Sequence, residues 1–426
     1  MKASAGQKFF FVGYAAYFSL LLIFLLFFLD KYYPYPYIEN SFSLFRIIFA
    51  ALVLSVQSAF ILTAAKADSP VECILHMFMV LMIVPNAAFY ASTGLNFGFL
   101  FVYFIFSLLL VFLANFFDVR VKMPVLSEKG RVKILVVLSL LSLFYFISVH
   151  GFSLNLNVFA LEDVYEVREA AREERSQFGR YFYSWSTKLI LPLTIVWGML
   201  RRNYLLVFLG LLGMLYLFAT SAHKSVIFSV VLLLAFSGEA GFRKKSLLFL
   251  YGAVLMVAVS MAIFLFFEFD VVQSLFIRRM LVLPAILNEY YFRVYAEVPA
   301  YYAHSFLSGI VENRYYDTPP YVVGLEYFGS EIISANNGFA SDGYANLGWF
   351  GAAFQSAVLA FVLSFLATRP ISSKYFGFLF IYVYQLNTSA LFTTLLHHGL
   401  LLLCVVAVYG FLAEGGARKR FRIRRS

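Results

Sequence analysis

What most constrains this chain is the recurrence, along nearly its whole length, of apolar runs about twenty residues long separated by polar stretches. A run of that length crosses the roughly 30 Å hydrocarbon layer as a helix, which satisfies its own backbone groups where no water can. Such windows predict spans near residues 9–29, 43–65, 72–92, 95–117, 132–150 and 184–200. They continue near 203–220, 224–238, 246–267, 346–367, 374–391 and 396–413. The expected fold is therefore all-α, a polytopic membrane helix bundle of about 12 transmembrane helices in a single integral membrane domain, residues 1–426.

Composition excludes a soluble globule. With 62% hydrophobic and 13% charged residues there is too little polar surface to cover a core in water. The 52 Phe and 29 Tyr suit lipid contact and the headgroup level, where a Tyr hydroxyl stays wet. Cys73 and Cys404 both fall inside apolar runs and supply neither a disulfide framework nor a Cys-rich metal site. The first apolar run follows Lys2 and Lys8 and lacks an A-x-A cleavage site, so it is expected to remain as the first span.

Orientation follows from the loops. With the N-terminus inside, the inner loops collect 21 of the 33 basic residues and the outer ones 17 of the 23 acids, which favours this topology over its inverse. Both ends are then cytoplasmic, and the RKRFRIRR run within the tail 414–426 reads as an anchor to anionic lipid rather than a nucleic-acid site. Two outer segments, 151–183 and 268–345, are too long to be turns, and recognition and chemistry are expected there.

Residues 164–181 contain good helix formers and no proline, and Arg168, Arg172 and Arg175 recur at i, i+4 and i+7 on one face. Two readings stand for that face: a grip for phosphate or pyrophosphate, or a surface helix neutralised by Glu169, Glu173 and Glu174. In the second segment Glu289, Arg293 and Glu297 follow i, i+4 and i+8, so Arg293 is expected to be neutralised within its helix. Leu287, Tyr291, Val294 and Val298 form an apolar stripe, predicting an amphipathic helix lying on the bundle or in the interface. Arg278 and Arg279 have no acid at i+3 or i+4 and are set apart by Pro284, which leaves them the better partners for an external anion.

Other groups carry paired readings. Lys224, in the SAHKS turn with His223, either snorkels or adds a further cation. Asp342 precedes a helical run, as an N-cap or as a general base, with His304, Glu289 and Glu166 as rival bases. Gly348 and Ala352 have the spacing of close helix packing. Adjacent His397 and His398 point about 100° apart on a helix, which suits packing at a helix end and not a shared metal. No H-E-x-x-H, C-x-x-C, phosphate-binding G-x-x-x-x-G-K-S/T or Rossmann glycine cluster occurs, so zinc hydrolysis, nucleotide hydrolysis and dinucleotide chemistry lack support.

The run RRMLVLPAILNEYYF, followed by N-G-x-x-x-D-x-Y-A-N-x-G leading into a span, resembles the bacterial oligosaccharide repeat-unit polymerases, the Wzy-type enzymes of O-antigen and capsule assembly. The Arg-bearing helix of the first outer segment and the SAHKS turn fit the same family, and together these matches cover about two-fifths of the chain. The resemblance implies a metal-independent glycosyltransferase, without cofactor, in the bacterial inner membrane with its active site facing the periplasm. It would join undecaprenyl-diphosphate-linked oligosaccharides, as both donor and acceptor, among membrane lipids and with a chain-length regulator protein as partner. Carried over by residue, Arg168, Arg175, Arg278, Arg279 and Lys224 would bind diphosphate, while Tyr290, Tyr291, Tyr344 and Asn346 would line the sugar site. Asp342 is the first choice of base and His304 the second. A lipid-linked glycan ligase shares this donor chemistry, whereas a flippase or transporter is disfavoured because the spans are almost free of charge.

Overall fold

Prolines inside apolar runs decide how these helices are built. In the computed structural model, which describes residues 5–116, 126–152, 176–221 and 224–413, the helices holding Pro85, Pro192 and Pro284 do not stop. Each proline is the second residue of an α-helical stretch that directly follows a widened π-helical one: Met79–Ile83, Ser186–Ile190 and Gln273–Val282. Proline lacks an N–H and its ring crowds the carbonyl four residues back, and a widened turn shifts that carbonyl away. Pro284, expected to set Arg278 and Arg279 apart from the following helix, instead lies within a continuation of helix, with Leu283 donating its N–H to the Arg278 carbonyl.

In chain order the helices are α1 (Gly6–Tyr32), α2 (Leu44–Ala64), α3 (Pro70–Thr93), α4 (Phe97–Phe116), α5 (Glu128–His150), α6 (Gln177–Trp185) and α7 (Leu191–Leu200). They continue as α8 (Tyr204–Ser221), α9 (Lys224–Ala235), α10 (Phe242–Phe267), α11 (Leu283–Tyr295), α12 (Pro319–Phe328), α13 (Phe339–Ala367), α14 (Phe376–Thr388) and α15 (Leu400–Val408). Eight of them, α1 to α5, α8, α10 and α13, are long and apolar enough to cross a membrane, and each overlaps a window expected from sequence. Expected spans 224–238, 374–391 and 396–413 correspond to the shorter α9, α14 and α15, and 184–200 to α6 and α7 with their π stretch. No β-strand occurs among the described residues, which contain only an isolated bridge between Ser308 and Val311.

The chain divides into two bodies, residues 1–118, 241–364 and 383–391 in the first and 119–240, 365–382 and 392–426 in the second. In the first, α3 is the central helix: 94% of its most apolar window is buried, against 28–56% for the other spans. It packs against α1, α2 and α10. Because lipid is as apolar as these side chains, polar contacts and close packing supply the helix-to-helix specificity. Gln57 on α2 donates to the Ser107 hydroxyl on α4 at 2.7 Å. A chain of buried amides joins α3, α11 and the start of α13, with Asn288 donating to Asn86 at 3.0 Å and Asn337 to Asn288 at 2.9 Å.

In the second body α5, α7 and α8 pack around Phe146, Leu191, Ile195, Leu217 and Phe218. The α7–α8 hairpin is tight because residue 210 is glycine: a Cβ there would lie 3.1 Å from the Leu191 carbonyl oxygen and against Ile195. Arg201, in the hairpin turn, lies over the Trp197 ring at 3.9 Å and pairs with Glu128 at 3.1 Å.

Candidate functional site

Most of the residues singled out in the sequence belong to the first body. Arg278 and Arg279 stand on the π-helical stretch between α10 and α11. Arg278 is half-buried; its guanidinium donates to the Ser274 hydroxyl at 2.7 and 3.1 Å and to the Tyr35 hydroxyl at 3.3 Å, and lies 5.1 Å from the Tyr33 ring centre. Arg279 is exposed, and neither arginine forms an ion pair among the described residues. Their neighbours differ. Arg293 meets Glu289 at 2.7 Å, the neutralised pair expected from i, i+4 spacing, and Arg243 is held by the buried Glu72.

The tyrosines of the YYPYPY run, residues 32–37, were not singled out as site residues, yet three of them flank these arginines. Tyr33 and Tyr35 contact Arg278, and Tyr37 lies 5.9 Å below Arg293. Burial, followed by the Asp270 charge, pushes the Tyr33 phenol above its ordinary value, with Arg278 opposing; it remains a hydroxyl and donates to Gln273 at 3.3 Å. The available signal was two prolines fixing a tyrosine-rich turn between two apolar runs.

Asp342 lies inside α13, not ahead of it, since its own N–H bonds to the Gly338 carbonyl at 3.1 Å; the N-cap reading is corrected. The helix breaks just beyond, at Leu347 and Gly348, where Gly348 has φ 60° and ψ −151°, a conformation essentially confined to glycine. Across the break, Gln355 reaches back and donates to Asp342 Oδ2 at 2.7 Å and to the Tyr302 hydroxyl at 2.8 Å, while Asn346 approaches Asp342 Oδ1 at 3.3 Å. The close approach expected of Gly348 and Ala352 is made by Gly343 and Gly351: a Cβ on residue 343 would lie 2.6 Å from the Gly351 carbonyl oxygen. Nothing lies within 4 Å of a Cβ built at Gly348, whose role is conformational.

The residues expected to line a sugar site are interior. Tyr290 is fully buried and spends its hydroxyl on the Pro36 carbonyl at 2.8 Å; Tyr291 donates to the Ala335 carbonyl at 3.1 Å. Tyr344 packs among Phe99, Phe292 and Trp349. Asn346 accepts the Tyr302 N–H at 2.9 Å. Helix α11, expected to be amphipathic, is buried on nearly all sides from Pro284 to Tyr291 because the amide chain draws it inward. These residues shape the site from behind and present no open ring face.

Of the rival bases, Glu289 is committed to Arg293. His304 is half-buried in the segment between α11 and α12, and its Nδ1 is enclosed with no hydrogen-bond partner. Burial lowers its pKa below the ordinary 6.5, with the Asp317 carboxylate opposing, so at neutral pH it is an uncharged imidazole. Arg168, Arg175 and Glu166 lie outside the described residues. Lys224 opens α9, and its side chain lies outside what the structure describes.

The second body contains a cluster that the sequence reading passed over. Lys188 Nζ lies 2.6 Å from His398 Nδ1, which is also 3.0 Å from the Ser184 hydroxyl and 3.3 Å from His397 Nδ1. A helix-end packing role for the histidines is therefore incomplete, because the lysine nitrogen is aimed at an imidazole. The signal was Lys188 itself, the one charged residue within the expected span 184–200.

Comparison with protein-family models, with characterised proteins and with solved structures finds no match to this chain. The fold defines a multi-pass α-helical membrane protein in which two guanidinium groups between spans, the half-buried Arg278 and the exposed Arg279, form no ion pair among the described residues.

Proposed function

We propose that this protein is a metal-independent membrane glycosyltransferase of the Wzy type, joining undecaprenyl-diphosphate-linked oligosaccharide repeat units at the periplasmic face of a bacterial inner membrane. The observation that carries the reading is the contrast among the arginines: Arg243 and Arg293 are neutralised by buried glutamates, whereas Arg278 and Arg279 face tyrosines, a serine and solvent. Guanidinium groups without an acid partner suit a diphosphate, whose charge must be balanced as it leaves. In this reading α6 with α7, α9, α14 and α15 also cross the bilayer, giving about 12 spans with both termini inside.

The chemistry needs few parts. A base takes the proton of an acceptor hydroxyl, whose oxygen bonds to the anomeric carbon of the donor; the bond from that carbon to the diphosphate oxygen breaks, and its electron pair leaves with the diphosphate. Arg278 and Arg279 bind the departing charge. His304, a neutral imidazole, and Asp342, held by Gln355, are the two candidate bases by residue type. Purified protein in lipid nanodiscs, given lipid-linked repeat units alone, is expected to produce a ladder of polymers. Hydrolysis without extension contradicts the reading, and transfer only after lipid A core is added replaces it with a ligase.

One observation favours a second reading. The Lys188–His398 contact places ionisable groups within a predicted span, as movers of lipid-linked sugars do. Movement of fluorescent lipid-linked sugar across proteoliposomes, lost in Lys188→Met, would support it; no movement by the intact protein removes it.

A further inference from the structure

A cavity of about 550 Å³ opens in the first body beside α11 and α12, lined among others by Arg293, Arg314, Tyr315, Tyr316, Glu326 and Tyr327. None of these except Arg293 entered the sequence reading. The volume falls within the roughly 300–1,000 Å³ typical of small-molecule sites.

Two of its aromatic rings are fixed by their own hydroxyls and the third by stacking. Tyr315 donates to the Val298 carbonyl and its ring leans on Tyr295 at 4.8 Å; Tyr316 donates to the Tyr321 carbonyl at 2.9 Å and is 55% exposed. Tyr327 stacks on the buried Tyr290 at 3.7 Å and 9°, so the ring assigned to sugar from sequence instead backs the one that reaches the cavity. With the Tyr315 and Tyr316 hydroxyls spent on backbone carbonyls and Tyr327 held by its stack on Tyr290, what these tyrosines offer a ligand is mainly ring surface already in place, at little entropic cost on binding.

The lining carries two guanidiniums and one carboxylate, and Glu289, behind Arg293 and outside the lining, brings the group to neutrality. Arg293 is matched by Glu289 at 2.7 Å, and the remaining lining charges are one guanidinium, Arg314, which forms no ion pair among the described residues, and one carboxylate, Glu326. A site for diphosphate would carry excess positive charge, as the Arg278–Arg279 segment does; this cavity does not. Flat aromatic faces beside a planar donor fork and a planar acceptor pair match a pyranose ring, with an apolar face of C–H groups and an edge of neighbouring hydroxyls.

We infer that this cavity binds an uncharged pyranose of a glycan, at a subsite separate from the cations that would hold diphosphate. The assignment of that glycan to the repeat unit rests on the polymerase reading, but saccharide binding itself does not.

The test uses full-length protein in nanodiscs on an array of neutral and acidic oligosaccharides free of lipid and diphosphate. Binding to a subset of neutral glycans is expected, with signal falling about tenfold or more in Tyr316→Ala and in Arg314→Ala, the scale of one stacking or hydrogen-bonding contact of about 1.4 kcal/mol. Both side chains are exposed, so monodisperse elution of the variants separates lost contact from lost fold. No neutral glycan bound, acidic glycans preferred, or binding unaltered in both variants each overturns the inference. Glycan binding without polymer ladders leaves the subsite standing and removes the polymerase reading, whereas ladders without neutral-glycan binding do the reverse.

Discussion

The carboxylate of Glu72, fully buried on α3, is clasped by the guanidinium of Arg243 at the start of α10, which ties together two spans distant in sequence. The Asp68 N–H completes the carboxylate at 2.6 Å, and His76, one turn on, bonds Tyr14 of α1 at 2.6 Å beneath the stacked ring of Phe10. Removing one partner of such a pair strands a buried charge, at a cost of about 3–5 kcal/mol. Arg243→Ala is therefore expected to lower the thermal unfolding midpoint sharply, and Glu72→Gln with Arg243→Gln to lower it less. Equal losses in the two proteins would show that the pair acts through packing alone.

The break in α13 depends on two glycines for different reasons. Gly348→Ala imposes a Cβ on a glycine-only conformation and is expected to cost about 1–3 kcal/mol although no atom lies near. Gly351→Ala sets a methyl against the Gly343 carbonyl and is expected to force the two halves of the helix apart, loosening the Gln355–Asp342 contact. Unfolding midpoints of the two variants in detergent check this; an unchanged midpoint in Gly351→Ala contradicts the close crossing.

Asp342 and His304 are separated by substitution and by pH. Asp342→Asn keeps an oxygen for Gln355 to donate to while removing the carboxylate, so full activity in that variant assigns the proton to His304. With its pKa below 6.5, His304 stays neutral through pH 7 and somewhat beneath 6.5, so polymer formation that uses it is expected to persist there and fall only at lower pH. Stability has the same sign: the folded state binds this proton less readily than the unfolded one, so the imidazole's contribution is lost as pH falls. A pH profile unaltered in His304→Gln would exclude it as base.

Much of this architecture was legible in the sequence. Eight apolar windows became long apolar helices because length and hydropathy alone decide them, and the Glu289–Arg293 pair followed from i, i+4 spacing. Pro284 misled because a widened helical stretch ahead of it has no signature in residue type. Asn288 and Asn337 carry no sign of burial in residue type, and only their meeting between α11 and the segment leading into α13 makes them interior. Tyr290 and Tyr291 were assigned to ligand by aromatic character, whereas burial and hydroxyl partners, which depend on tertiary contacts, commit them to the core.

Topology is open to direct labelling because both native cysteines are buried. Cysteine substitutions at exposed Ser308 and Lys129 are expected to differ in intact cells: the first reacts with a membrane-impermeant maleimide, the second only after lysis. Reaction at Lys129 from outside would invert the orientation.

The most direct test of the enzyme reading compares the wild-type protein with Arg278→Ala and Arg279→Ala in nanodiscs supplied with lipid-linked repeat units. A ladder from the wild type, reduced about tenfold to a hundredfold by each substitution as expected for a lost charged hydrogen bond of about 1.5–3 kcal/mol, is the predicted result. Full-length ladders from both variants, or no extension by the wild type, would contradict it.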